Sequence, residues 1–204
     1  EKISKRMSFF DRDIDVMIAT HPDADHITGL IPVLEKYTIK QIIRSPLSGQ
    51  TGVSGVLEKS ILDEQAEVHV AQKGDVINFG DGVTAQILYP LSNQMFSPSE
   101  TNDASVSVLL TYGEESVLLT GDLPSTHEGD LLGKSLPRKI TIYKAGHHGS
   151  KYSSSEQLLS YMKPEYTVIS AGKDNSYGHP NQEALTRIQM YSKEILSTID
   201  KGTI

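Results

Sequence analysis

The chain has 204 residues, 37% of them apolar and 22% charged, which fits one soluble globular domain with a full hydrophobic core. Its formal net charge of -7 argues against a sequence-blind nucleic-acid coat, and the lack of cysteine excludes disulfides and zinc-thiolate sites. Apolar runs such as Val16-Met17-Ile18-Ala19 fall far short of the roughly 20 residues a membrane-spanning helix needs.

Residues 14–20 are apolar and β-branched, which predicts a buried strand. Ile27, Leu30, Ile31 and Leu34 then recur at helical spacing, with Thr28 as the expected cap. A strand over 39–45 and a helix over 53–64 follow, then strands over 67–71, 75–79 and 83–89 divided by Gly-containing turns. Residues 91–101 are a polar loop, and 105–111 and 116–119 are the strands of a hairpin. The remainder reads as strand 140–143, helix 153–162, strand 166–170, helix 181–191 and strand 194–199. Strand and helix alternate early and late around a strand-rich middle, which points to a layered α/β architecture. Each cluster of histidines or acids follows a strand, so the clusters are expected on one rim.

Four such clusters carry chemistry. His21-Pro22-Asp23-Ala24-Asp25-His26 sets two imidazoles and two carboxylates in one loop, the donors that hold zinc, manganese or iron. Thr120-Gly121-Asp122 ends an apolar strand in a carboxylate that could bridge two ions, although Gly-Asp is also a routine turn pair. Gly146-His147-His148-Gly149-Ser150 frames adjacent histidines with glycines, which allows close backbone approach to a ligand. In Asn175-Ser176-Tyr177-Gly178-His179-Pro180, His179 could contact a phosphate oxygen, act as a general acid, or be a turn residue. His69, alternating with apolar neighbours, and His127, at a helix start, are assigned to structure.

HPDADH, TGD, GHHGS and YGHP, in this order, resemble the metallo-β-lactamase fold superfamily. More narrowly they resemble the hydrolase domain attached to the DNA-uptake channel protein ComEC and its free-standing relatives. The superfamily pattern is HxHxDH, so Asp23 stands in place of a histidine, as is common in the ComEC-like branch. Thr101-Asn102-Asp103-Ala104-Ser105 stands where a third histidine would fall and resembles the Asn-x-x-Ser stretch of that branch.

The resemblance implies an α/β fold, a four-layer αββα sandwich, with the family's first strand pair missing. It also implies one hydrolase domain over 1–204, expected to be truncated at both ends. His21, Asp23 and Asp122 would hold one divalent ion. Asp25, His26, Asp122 and a histidine of the GHHGS run, His147 preferred, would hold another. Asp23 makes the first site richer in oxygen, which favours manganese without excluding zinc. Water activated by the two metals, with Asp25, His148 and His179 as the catalytic side chains, would attack a phosphodiester. Asn102, Ser105, Lys144, Ser150, Lys151 and Lys173 would touch substrate, the lysines giving an acidic protein a local basic rim. The expected activity is that of a phosphodiesterase or nuclease of DNA uptake, extracytoplasmic and partnered by a membrane channel. The alternatives are a lactam, lactone or thioester hydrolase on the same fold, or a non-catalytic binding module ordered by metal.

Overall fold

The computed structural model describes residues 3–204 and contains two sheets. β1 (Asp13–Ala19), β2 (Thr38–Arg44) and β3 (Glu67–Val70) form a parallel three-stranded sheet in chain order. Parallel neighbours need crossovers. α1 (Ala24–Ile27) and α2 (Ile31–Leu34) supply the first, and α3 (Gly52–Glu64) the second. Thr51 caps α3, its hydroxyl accepting from Ser54 N at 3.2 Å, and Arg44 ties β2 to α3 through two bonds to Glu58 of 2.5 and 2.6 Å.

The second sheet has seven strands in the order β10-β9-β8-β7-β6-β5-β4. β4 (Val76–Gly80), β5 (Val83–Tyr89), β6 (Ser107–Tyr112) and β7 (Glu115–Leu119) run antiparallel. β8 (Ile142–Lys144), β9 (Tyr166–Ile169) and β10 (Glu194–Ser197) continue from β7 in parallel. The intervening segments hold α4 (Ser125–Glu128), α5 (Glu156–Met162) and α6 (Gln182–Tyr191), and α7 (Thr198–Lys201) follows β10.

Three buried clusters define four layers. Met17, Ile39, Ile42, Leu57 and Ile61 join α1–α3 to the first sheet. Ile43, Ala71, Ala85, Ile87, Val106 and Val108, with Val16 and Ile18 against them, fill the space between the sheets. Leu109, Leu118, Tyr143 and Ile169 pack on Leu158, Leu159, Met162 and Ile188 of α5 and α6. Along β6, Val108 faces one cluster and Leu109 the other, as a period of two requires. Each such fully buried side chain contributes roughly 1.5–3 kcal/mol. The expected αββα sandwich is the observed one.

Several expected element ends differ: the helix expected over 153–162 begins at Glu156, and the strand expected over 140–143 is Ile142–Lys144. The first helix begins at Ala24, with Asp23 at the N-cap, and Thr28 instead donates its hydroxyl to Ala24 O at 2.6 Å. The apolar spacing from Ile27 onward marked the face of this segment but not its start, because Asp25 and His26 occupy the first turn. The helix stops after Ile27 and restarts at Ile31 with Pro32 in its first turn. The last expected strand ends at Ser197, whose hydroxyl accepts from Ile199 N at 3.2 Å and turns the chain into α7. Among the described residues, no helix is long and apolar enough to cross a membrane.

Candidate metal centre

The site is built at the C-terminal ends of β1, β7, β8 and β9, on the loops that leave them. After β1, Pro22 cannot extend the strand ladder, and Asp23 takes an extended N-cap geometry that starts α1. Asp23 makes no capping bond, so its carboxylate is free for Thr101, whose hydroxyl donates to it. Val106 N donates to Thr20 O at 2.8 Å and pins the loop after β1 to the second sheet. After β7, Gly121 turns at φ 56°, and an added Cβ would lie 3.2 Å from Ser105 and 3.3 Å from Thr20. A side chain there would be both strained and crowded against these two neighbours, and the turn aims Asp122 inward. After β8, His147 and His148 both adopt left-handed backbone, φ 48° and 54°. Such strain in non-glycine residues is typical of functional loops.

The centre of the arrangement is Asp122 Oδ2. His26 Nε2 lies 3.3 Å from it, His148 Nε2 3.5 Å, His147 Nε2 3.7 Å and His21 Nε2 4.0 Å. Asp25 Oδ2 is 3.5 Å from His148 Nε2 and 3.7 Å from His26 Nε2. Asp23 Oδ2 is 4.0 Å from His21 Nε2. Among the described residues, two groups bring their donor atoms close enough to hold a cation: His21, His26 and Asp122, and Asp25, His26 and His148.

These residues fit a divalent ion. Ligand atoms about 2.0–2.1 Å from a tetrahedral ion lie about 3.3 Å apart, close to the separations between His26, Asp122 and His148. His21 Nε2 and Asp122 Oδ1 are buried with no hydrogen-bond partner. A buried polar atom left unpaired costs about 1–3 kcal/mol, and a cation between the two would satisfy both. Their other atoms are already held. His21 Nδ1 meets the Thr20 hydroxyl at 3.0 Å, and Asp122 N donates to Ser105 Oγ at 3.1 Å. His148 Nδ1 donates to Ser170 O at 2.7 Å, which leaves the Nε2 lone pair facing the cluster.

Burial, and then the charge of His26, pushes His21 down to about 4. Burial alone would raise Asp122, but His26, His21 and His148 outweigh it and hold the carboxyl well below its usual range. Burial also lowers His147 and His179. A neutral His21 and an ionised Asp122 are the protonation states in which these side chains bind a metal.

The structure brings together His21, Asp25, His26, Asp122, His147 and His148, with Asp23 at the margin. His179 stands beside them, its ring 5.4 Å from that of His147. Within the pair, the geometry favours His148 over His147 as a donor toward the cluster, opposite to the sequence preference. Ser105 and Ser150, expected at substrate, are instead 0% and 1% exposed. Ser105 is a support for Asp122, and Ser150 lies too deep to meet a strand. Lys144 does not lie on an open rim with the other two lysines. It is partly buried on β8, where burial lowers its pKa while Asp122 and Asp25 pull it up. Lys151 and Lys173 are exposed. Asn102 Oδ1 is buried without a partner. His69 pairs with Asp75 at 2.8 Å, and His127 lies 3.5 Å from Asp103 and 3.8 Å from Asp130.

Sequence reasoning missed Thr101, Thr20, Ser170 and Asn175. Asn175 builds the His179 turn: Nδ2 donates to Gly172 O and His179 O, each at 2.7 Å, and Oδ1 accepts from His179 N at 2.9 Å. Ser170 acts through its carbonyl, which any residue would supply, so no sequence signal could have found it.

No protein-family model matches the chain. It is 32% identical over 197 residues to ComE operon protein 3 of Bacillus subtilis, covering 95% of this chain and 24% of that protein. It is also 32% identical over 127 residues to competence protein ComA of Neisseria gonorrhoeae, covering 61% of this chain and 18% of that one. The chain thus spans about a quarter or less of these curated relatives. The crystal structure of the metallo-β-lactamase fold protein YhfI from Bacillus subtilis superposes with a TM-score of 0.50 at 10% identity, covering 90% of this chain and 74% of YhfI. With its four layers and its strand-end cluster of histidines and aspartates, the chain has the metallo-β-lactamase fold, and over 95% of its length it is similar to the ComE/ComEC-family competence proteins.

Proposed function

We propose that the chain is a metal-dependent phosphodiesterase acting on nucleic acid, a single hydrolase domain over residues 1–204. The observation that carries this reading is the buried Asp122 carboxylate with four imidazole Nε2 atoms within 3.3–4.0 Å of it. His21, Asp23 and Asp122 would hold one divalent cation, and Asp25, His26, Asp122 and His148 a second. When bound, manganese or zinc would supply Lewis-acid polarisation and a water acidic enough to react near neutral pH.

The side chains divide the remaining work. Asp25, with 64% of its side chain exposed, is placed to accept the proton of an attacking water. His179, neutral at pH 7 because burial lowers its pKa, donates a hydrogen bond to a non-bridging phosphate oxygen. Asn175 fixes the turn that presents it. Lys151 and Lys173 offset phosphate charge on a protein whose net charge is -7. Relatedness to competence proteins supports a role in DNA uptake. We place the domain outside the cytoplasm, beside a membrane channel, with the incoming strand as substrate.

The test is turnover of a bis-aryl phosphodiester and of a labelled single strand, each with added manganese or zinc. Cleavage of both, abolished by chelator, is the expected result. Turnover of nitrocefin without phosphodiester cleavage would assign the site to lactam chemistry. A protein with bound metal and no turnover of any of these substrates would not be an enzyme of this class.

A further inference from the structure

Tyr177 is a large aromatic ring left 77% exposed. One face stacks on His179, with centroids 5.9 Å apart and planes 19° from parallel. At that exposure the opposite face is open to solvent. The turn beneath it is fixed by the three hydrogen bonds of Asn175 to Gly172 and His179. Tyr177 and His179 line a cleft of about 320 Å³ that also touches Asp25, His148, Ala171 and Gly172. The cleft therefore runs from the ring to the histidine and aspartate cluster. Its volume is at the small end of the range for ligand sites, about 300–1,000 Å³, and suits one planar group with its sugar.

We propose that Tyr177 and this cleft seat one unpaired base of a single-stranded nucleic acid, a reading that rests on the phosphodiesterase function above. A rigid, exposed aromatic face beside a cation-holding site is what stacking on a base requires, and such stacking tolerates any sequence because every base has a π-face. A base seated there would place the adjoining phosphodiester toward Asp25 and His148. Lys173, next to the cleft residue Gly172 in the chain, is exposed and adds a positive charge to the same loop. A base paired and stacked within a duplex has no free face to offer, so the cleft selects single strands.

The experiment measures binding to the whole chain without metal, using a short single strand that carries a fluorescent purine analogue and the same strand made abasic. Stacking should quench the fluorophore. The base-bearing strand should bind about tenfold more tightly than the abasic one, the scale of base–aromatic stacking. Tyr177→Ala should bring that ratio close to one, and Tyr177→Trp should restore it. An unchanged ratio in Tyr177→Ala, or a ratio near one in the parent chain, would overturn the proposal. Tyr177-dependent binding without metal-dependent cleavage would instead overturn only the phosphodiesterase reading.

Discussion

At Asp122, burial and charge pull in opposite directions, and charge wins because His26, His21 and His148 stand around one oxygen. Asp122→Asn should weaken manganese or zinc binding more than about 100-fold, since even outer partners of a ligand are worth 10–100-fold. Calorimetric titration measures this. The metal-free variant should also unfold earlier than the parent, because a carboxyl held below its usual range by the surrounding imidazoles stabilises the fold in its ionised form, and the amide loses that. His21 gives a second prediction. Its pKa falls from 6.5 to about 4 on folding, through burial first and His26 second. Between those values the unfolded chain holds a proton that the folded chain refuses, so stability rises with pH across the window. In chelator, stability should fall by roughly 3 kcal/mol as pH drops from 6.5 toward 4, at 1.36 kcal/mol per unit. Urea unfolding at a series of pH values would show it, and His21→Gln should flatten the slope.

At the scale of elements, the turns after the strands fix where ligands can stand. Gly121 and Gly113 share nearly the same backbone, φ 56° and 58°, but their surroundings differ. A Cβ at Gly121 meets Ser105 and Thr20, whereas one at Gly113 meets nothing within 4 Å. Gly113→Ala should cost only the left-handed strain, about 1–2 kcal/mol. Gly121→Ala adds overpacking of about 1–3 kcal/mol and should displace Asp122. Denaturant unfolding of the two variants would separate strain from crowding. Metal affinity should fall for Gly121→Ala alone.

Across the whole molecule, an ion bound only by the folded chain stabilises it by mass action. Metal at 100 times its Kd should add about 2.7 kcal/mol. For a domain of this size that is about 5–10 °C in the unfolding temperature. Thermal unfolding with manganese, with zinc and with chelator would measure it. Equal unfolding temperatures in all three would remove the case for a metal centre in this fold.

The sequence by itself determined the layers and the cast of the site. The apolar runs of β5 and β6 and the helical spacing in α3 and α6 are local signals, and the strand-end positions of His21, Asp122, His147 and His179 follow from them. Helix starts were less legible, since Asp23 and Thr28 are both good caps and only packing chose between them. The tertiary structure alone decided which atoms meet. His148 turns inward because Ser170, 22 residues away, accepts from its Nδ1. Ser105 supports Asp122 instead of substrate because β6 and β7 are neighbours, and Lys144 is drawn inward because β8 lies between β7 and β9. These contacts join residues far apart in the chain, so no window of sequence contains them. The same holds for the cleft beside Tyr177, which exists only where the loops after β1, β8 and β9 come together.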